Sequence, residues 1–163
     1  MDESERVVRS RADMVMRICM QRLGQYGRDA AEDAFQEVFL VWVRSRPHFR
    51  DEEHERRWFA RCALDRCRDF ARRFKRQSER FAELDEESAG TTGDADTRMD
   101  VFAAVAQLKP AYAEAVLLCW GEGMNGAQAA KVLGISHAAL RKRLSRAGEE
   151  LRKILGGTYD GIS

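Results

Sequence analysis

Two sets of cations recur at spacings that could do chemistry, and that chemistry is recognition of a polyanion. In RRWFARCALDRCRDFARRF, residues 56–74, Arg57, Arg61, Arg68 and Arg72 follow one another at intervals of four, seven and four, so a helix would align them in one stripe. Trp58 stands at the edge of that stripe beside Arg61 and Asp65, and Phe49 precedes it in the loop SRPHFRDEEH. Aromatic faces next to arginines suit unstacked bases, since stacking tolerates any base while the cations follow the backbone. Burial of Trp58 in the core of a small bundle is the competing reading. The second set lies in ISHAALRKRLSRAGEEL, where Arg141, Lys142, Ser145 and Arg146, with Arg143 on the opposite flank, point away from an apolar stripe of Leu140, Leu144, Ala147, Leu151 and Ile154. Such a face can meet phosphates and base edges in a major groove, with the small Ala138 permitting close approach. A solvated basic face is the alternative.

These side chains need elements to hold them. In GAQAAKVLGIS a short helix ends at Gly134, a residue tolerant of positive φ, and Ser136 is placed to cap the next helix. With small Ala130 at the crossing and apolar Leu140 as anchor, the pattern is a helix-turn-helix whose second helix starts at His137. A third helix, DAAEDAFQEVFLVWV at residues 29–43, buries Phe35, Val38, Phe39 and Trp42. Its polar arc of Glu32, Asp33, Gln36 and Glu37 surrounds Leu40. Carboxylates repel phosphate, so an apolar knob ringed by them suits a protein partner. Single exposed leucines are also common.

Only 2 prolines in 163 residues, with helical periodicity throughout, predict an all-α protein. No apolar run is long enough for a signal peptide or membrane span, so the chain is expected in the cytoplasm. Cys19, Cys62, Cys67 and Cys119 lack C-x-x-C spacing and read as buried free thiols, while His48, His54 and His137 are scattered; neither metal nor cofactor is expected. A net charge of +1 hides a segregation: 17 Lys and Arg face 14 Asp and Glu over residues 1–75, 3 face 8 over 76–100, and 8 face 5 over 101–163. The acidic block contains ELDEESAGTTGDADT, which is too poor in large apolar residues to offset its ordering entropy. This predicts two small helical domains, 1–76 and 99–157, joined by a flexible acidic linker at 77–98 and followed by a disordered tail at 158–163.

In this order, DAAEDAFQEVFLVWV, RRWFARCALDRCRDFARR and ISHAALRKRLSRAGEEL resemble regions 2.2, 2.3 to 2.4, and 4.2 of extracytoplasmic-function sigma factors, the two-domain members of the sigma-70 family. The resemblance spans most of residues 11–155. It implies a non-enzymatic subunit that binds core RNA polymerase at the β′ clamp and β flap and directs it to promoter DNA. Asp33, Gln36, Glu37 and Leu40 would then dock on the clamp. Phe49, Arg57, Trp58, Arg61, Asp65, Arg68 and Arg72 would capture the melted minus-10 strand. Ser136, His137, Ala138, Arg141, Lys142, Arg143, Ser145 and Arg146 would read the minus-35 element. An anti-sigma partner is a further expectation of the resemblance.

The sequence departs from the pattern at Asp65, where similar proteins often carry Asn, at Gly148, which replaces an arginine, and at Ala139, where threonine is common. Two other functions use the same residues: a helix-turn-helix regulator that binds DNA without polymerase, and a helical adaptor whose arginines are solvated. Reach is compatible with two-site binding. Promoter elements one and a half to two turns apart are separated by roughly 50–70 Å, and an extended linker of this length spans roughly 70–80 Å.

Overall fold

The computed structural model describes residues 2–82 and 100–156. Most of the expected linker and the expected tail lie outside the described residues. Those described are helical, without strands. Helix α1 spans Glu3–Leu23, followed by a 3-10 turn at Gly24–Tyr26; α2 spans Arg28–Ser45 and α3 Glu52–Ala82. The remainder comprises α4 (Val101–Ala106), α5 (Pro110–Val116) running into a π-helical turn at Leu117–Gly121, α6 (Gly126–Leu133) and α7 (His137–Ile154).

Local chemistry sets these boundaries. Gly27, at φ 104°, turns the chain into α2, and Arg46, left-handed at φ 42°, closes it by donating its N–H to the Trp42 carbonyl at 2.9 Å. The Asp51 carboxylate accepts from the His54 N–H at 2.7 Å where α3 begins, and Glu52, Glu53 and Glu55 complement the positive end of that helix. Helix α3 continues to Ala82, six residues past the domain boundary expected at 76, because RQSERFA contains no glycine or proline to stop it.

Val15, Ile18, Leu23, Val38, Phe59 and Leu64 fill the core among α1, α2 and α3. Arg11 and Glu55, both buried, pair at 2.9 Å across α1 and α3, and Arg6 joins them at 3.1 Å. A buried charge left alone costs several kcal/mol, so this pair fixes the two helices in register.

The second half rests on capped short helices. Asp100 caps α4, Asn125 and Gln128 form a capping box on α6, and Ser136 caps α7 by accepting from Ala139 N–H at 3.1 Å. Gly134 adopts φ 67°, and the Ile135 N–H returns to the Ala130 carbonyl at 3.0 Å, closing α6 as expected. Ala104, Val105, Leu108, Ala113, Val116, Ala147 and Leu151 form a small core of their own.

The two halves are also packed on each other, which the expectation of separately tethered domains did not include. Ala115, Leu118, Met124, Ala129, Val132 and Leu140 belong to the same continuous apolar cluster as the core of α1–α3. Polar ties reinforce the contact. Arg17 grips the buried Glu122 carboxylate through two bonds of 2.9 and 2.7 Å, and Arg68 grips the buried Glu114 through two of 2.7 Å. Gln21 donates to the Phe102 carbonyl at 3.0 Å, and Arg56 to the Glu122 carbonyl.

Candidate nucleic-acid interface

Helix α7 presents its polar face as the sequence suggests. Leu140, Ala147 and Leu151 are fully buried, while Ser136, His137, Ala138, Arg141, Lys142, Ser145 and Arg146 are exposed and Arg143 is half-buried. None of Arg141, Lys142, Arg143 and Arg146 has an ion-pair partner among the described residues. Their charges are therefore available to a polyanion. The His137 ring lies over Gly126 at the start of α6 and leaves no room there for a Cβ. Gly148 is buried against Trp120, whose Cη2 would lie 4.0 Å from a Cβ at that position. A Cβ there would make only ordinary contact, so nothing in the structure explains the departure at Gly148.

The cations of α3 are in a different state. Arg57 is largely buried, with Glu53 at 3.7 Å and a buried Nε lacking a hydrogen-bond partner among the described residues. Arg61 donates to the Val132 carbonyl at 2.9 Å, at the negative end of α6, and approaches Asp65 at 3.4 Å. Arg68 is bound to Glu114 and to Asp65, and Arg72 to Asp69. The Glu114 carboxylate raises the Arg68 guanidinium above its ordinary value, and Glu122 does the same for Arg17. Arg61 and Arg68 are thus met by negative groups of the second half of the chain, whereas Arg57 and Arg72 face the carboxylates of Glu53 and Asp69 on α3 itself. Glu114, Glu122, Arg17 and Arg56 were not singled out from sequence, although two isolated carboxylates in the apolar run PAYAEAVLLCWGEGM were a usable signal: a buried charge demands a partner.

Phe49 and Trp58 do come together, with ring centroids 5.8 Å apart, and Trp58 meets Phe59 edge-on at 4.9 Å. Both Phe49 and Trp58 stay half-buried, so Trp58 supports the bundle while keeping part of its ring accessible. A cavity of about 640 Å³ opens beside Phe49, lined also by Trp42, Arg46 and Arg6 and by the carboxylates of Glu3, Asp51, Glu52 and Glu55; Trp58 does not line it.

On α2, Asp33, Gln36 and Leu40 are exposed, and Glu37 is held by Arg66 at 3.3 Å. Leu40 is 49% exposed, and Val43, one turn on, is 53% exposed. Val43 was missed, although its i+3 spacing from Leu40 was visible. All four cysteines are free thiols, and burial pushes Cys62 up to about 11. Among the described residues no cluster of His, Cys, Asp or Glu could hold a metal ion, and no helix is long and apolar enough to cross a membrane.

Comparison with known proteins places these surfaces in context. Residues 7–77 match the family described as Sigma-70 region 2, and residues 98–162 match Sigma-70, region 4. RNA polymerase sigma factor CarQ of Myxococcus xanthus is 32% identical over 131 residues, covering 77% of this chain and 75% of that protein. ECF RNA polymerase sigma factor SigM of Mycobacterium tuberculosis is 26% identical, covering 88% of this chain and 74% of the relative. Among solved structures, RpoE of Bartonella quintana, crystallised with the anti-sigma factor NepR, superposes with TM-score 0.68 at 17% identity, covering 93% of this chain and 97% of that one. CnrH, in complex with the cytosolic domain of CnrY, gives 0.67 at 22%, covering 96% and 89%. At these identities the two structures speak for the fold.

Proposed function

We infer the working roles of this chain from one premise, that it belongs to the sigma-70 family as an extracytoplasmic-function sigma factor: it binds core RNA polymerase and directs promoter-specific transcription initiation. The subunit carries no catalysis in this reading, since phosphodiester synthesis belongs to the polymerase, and it works in the cytoplasm. The β′ clamp takes the α2 surface of Asp33, Gln36, Glu37 and Leu40, with Val43 extending the apolar knob. The β flap takes the second half of the chain, and an anti-sigma factor is a natural regulator.

The cations of α7, without ion-pair partners among the described residues, are the observation that carries the promoter reading. Presented on the second helix of a capped helix-turn-helix, Arg141, Lys142, Arg143 and Arg146 suit phosphates and base edges of the minus-35 major groove, with Ser136, His137, Ala138 and Ser145 close to the duplex. The cavity beside Phe49 suits an unstacked base of the melted minus-10 strand, and Arg61, Arg68 and Arg72 suit its backbone. Asp65 offers only acceptors, so it favours a base edge that presents a donor. Trapping of unpaired bases offsets an unstacking cost of a few kcal/mol per step. Domain limits near 1–76 and 99–157, with a linker between them, are part of the same proposal.

Run-off transcription with reconstituted polymerase on genomic fragments tests the function. Discrete transcripts are expected only with the chain present. Alanine at Arg141, Lys142 and Arg146 together should abolish them while the protein still assembles with core enzyme. Unchanged transcription by that triple variant would instead favour an adaptor with solvated arginines.

A further inference from the structure

The loop that carries Phe49 is tied down by one side chain. Residues 47–50 join the end of α2 to Asp51, and among the described residues the one backbone hydrogen bond those four make runs from the Arg50 N–H to His54 Nδ1, at 3.2 Å. The N–H of His54 itself donates to the Asp51 carboxylate at 2.7 Å, so the first turn of α3 grips the loop twice through the same residue. Its ring then meets Phe49 edge-on, with centroids 5.5 Å apart, while Trp58 and Phe59 complete the surroundings of Phe49 at 5.8 and 6.2 Å. A ring nitrogen accepts only where it carries no proton, which places the imidazole hydrogen on Nε2.

We propose that His54 is a positioning residue for strand capture: by accepting from Arg50 and packing on Phe49, it fixes the loop so that the Phe49 ring stands ready for an unstacked base. The proposal deepens the minus-10 reading of Phe49 and rests on it. Its basis is entropy. A loop with few contacts samples many conformations that must be given up when a base stacks, whereas a loop already fixed binds without that loss. Pro47 and the bond from the Arg46 N–H to the Trp42 carbonyl fix the entry to the loop, and His54 fixes its exit on the far side of Phe49. The carboxylates nearby are committed elsewhere. Glu55 holds Arg11 and Arg6, and Asp51 caps α3. No other side chain of the described residues accepts from the backbone of residues 47–50.

The test is the rate at which holoenzyme, reconstituted from core polymerase and the full chain, forms permanganate-reactive open complexes on a promoter found by run-off. His54→Ala should slow that rate by about fivefold, the worth of one net hydrogen bond, with assembly on core enzyme unchanged. His54→Asn, whose Oδ1 can accept where Nδ1 does, should restore most of it. Phe49→Ala should be slow in its own right, and adding His54→Ala to it should change the rate by less than about twofold, because the two act through one contact. A wild-type rate in a cooperatively melting His54→Ala protein overturns the proposal. So does an asparagine variant as slow as the alanine one, or a fivefold loss that persists in the Phe49→Ala background. If His54→Ala does not melt cooperatively, His54→Phe, which keeps a ring against Phe49 and removes the acceptor, is measured in its place with the same outcomes. A wild-type rate for Phe49→Ala would sink the strand-capture reading and the proposal with it, whereas a slow Phe49→Ala beside a fast His54→Ala removes the role of His54 alone.

Discussion

Leu40 and Val43 leave two apolar side chains on the solvent side of α2, one turn apart, with Asp33 and Gln36 exposed beside them. Desolvated apolar anchors ringed by polar groups carry most of an interface's energy, and truncating one commonly costs about 2 kcal/mol. Asp33→Ala combined with Leu40→Ala should therefore weaken affinity for core enzyme by roughly thirtyfold or more, read by competition against the unmodified chain. Co-purification at the wild-type level would remove the docking role from this face. The thiols make a second expectation at this scale. Burial raises Cys62 from an ordinary 9.0 to about 11, and a hydrogen bond with Cys67, together with burial, pushes Cys19 higher still. A raised thiol pKa keeps the neutral form in the folded state, so these groups leave stability untouched below pH 9 and weaken it as pH climbs from there toward 11. Alkylation of Cys62 should accordingly be slow at neutral pH and reach half its limiting rate near pH 11.

At the scale of elements, the helix-turn-helix was legible because its determinants are local. Gly134 and Ser136 sit two residues apart and decide, between them, where α6 stops and α7 starts. Replacement of Ser136 by alanine strands the Ala139 N–H and should lower stability by about 1 kcal/mol, measured by denaturant unfolding of the full chain. The Leu140–Leu144–Ala147–Leu151 stripe was equally plain, as was the aromatic face of α2, since both depend only on helical period. Contacts between distant stretches were not. Arg68 and Glu114 are 46 residues apart and Arg17 and Glu122 are 105 apart, and no periodicity links them. The alignment of the α3 stripe follows from helical period, whereas the pairing of its Arg61 and Arg68 with the second half of the chain does not. Helix α3 itself overran its expected end because the transition from helix to linker composition is gradual, with RQSERFA polar enough for either state.

The whole molecule poses a problem of reach. A compact chain of this length has a radius of gyration of roughly 15 Å, whereas two promoter elements lie roughly 50–70 Å apart. The closed arrangement, with Glu114 on Arg68, Glu122 on Arg17 and one apolar cluster running through both halves, cannot place α3 and α7 on both elements at once. Opening must break two bidentate ion pairs and expose buried apolar surface, so salt alone should not suffice: the pairs are screened but the apolar contact is strengthened by many salts. On the docking proposed for α2 and the second half, core polymerase holds the two at separate points and supplies the difference. Energy transfer between dyes on cysteines introduced at the exposed Arg9 and Glu149 measures this directly, and the raised values of Cys19, Cys62 and Cys119 keep those native thiols poor competitors for the dye at neutral pH. Transfer should be efficient in the free chain, persist at high salt, and fall sharply when core enzyme is added. Equal transfer with and without core enzyme, in a preparation that still initiates from its promoter, would mean that the halves are already apart in solution and that the contact between Arg68 and Glu114 restrains nothing.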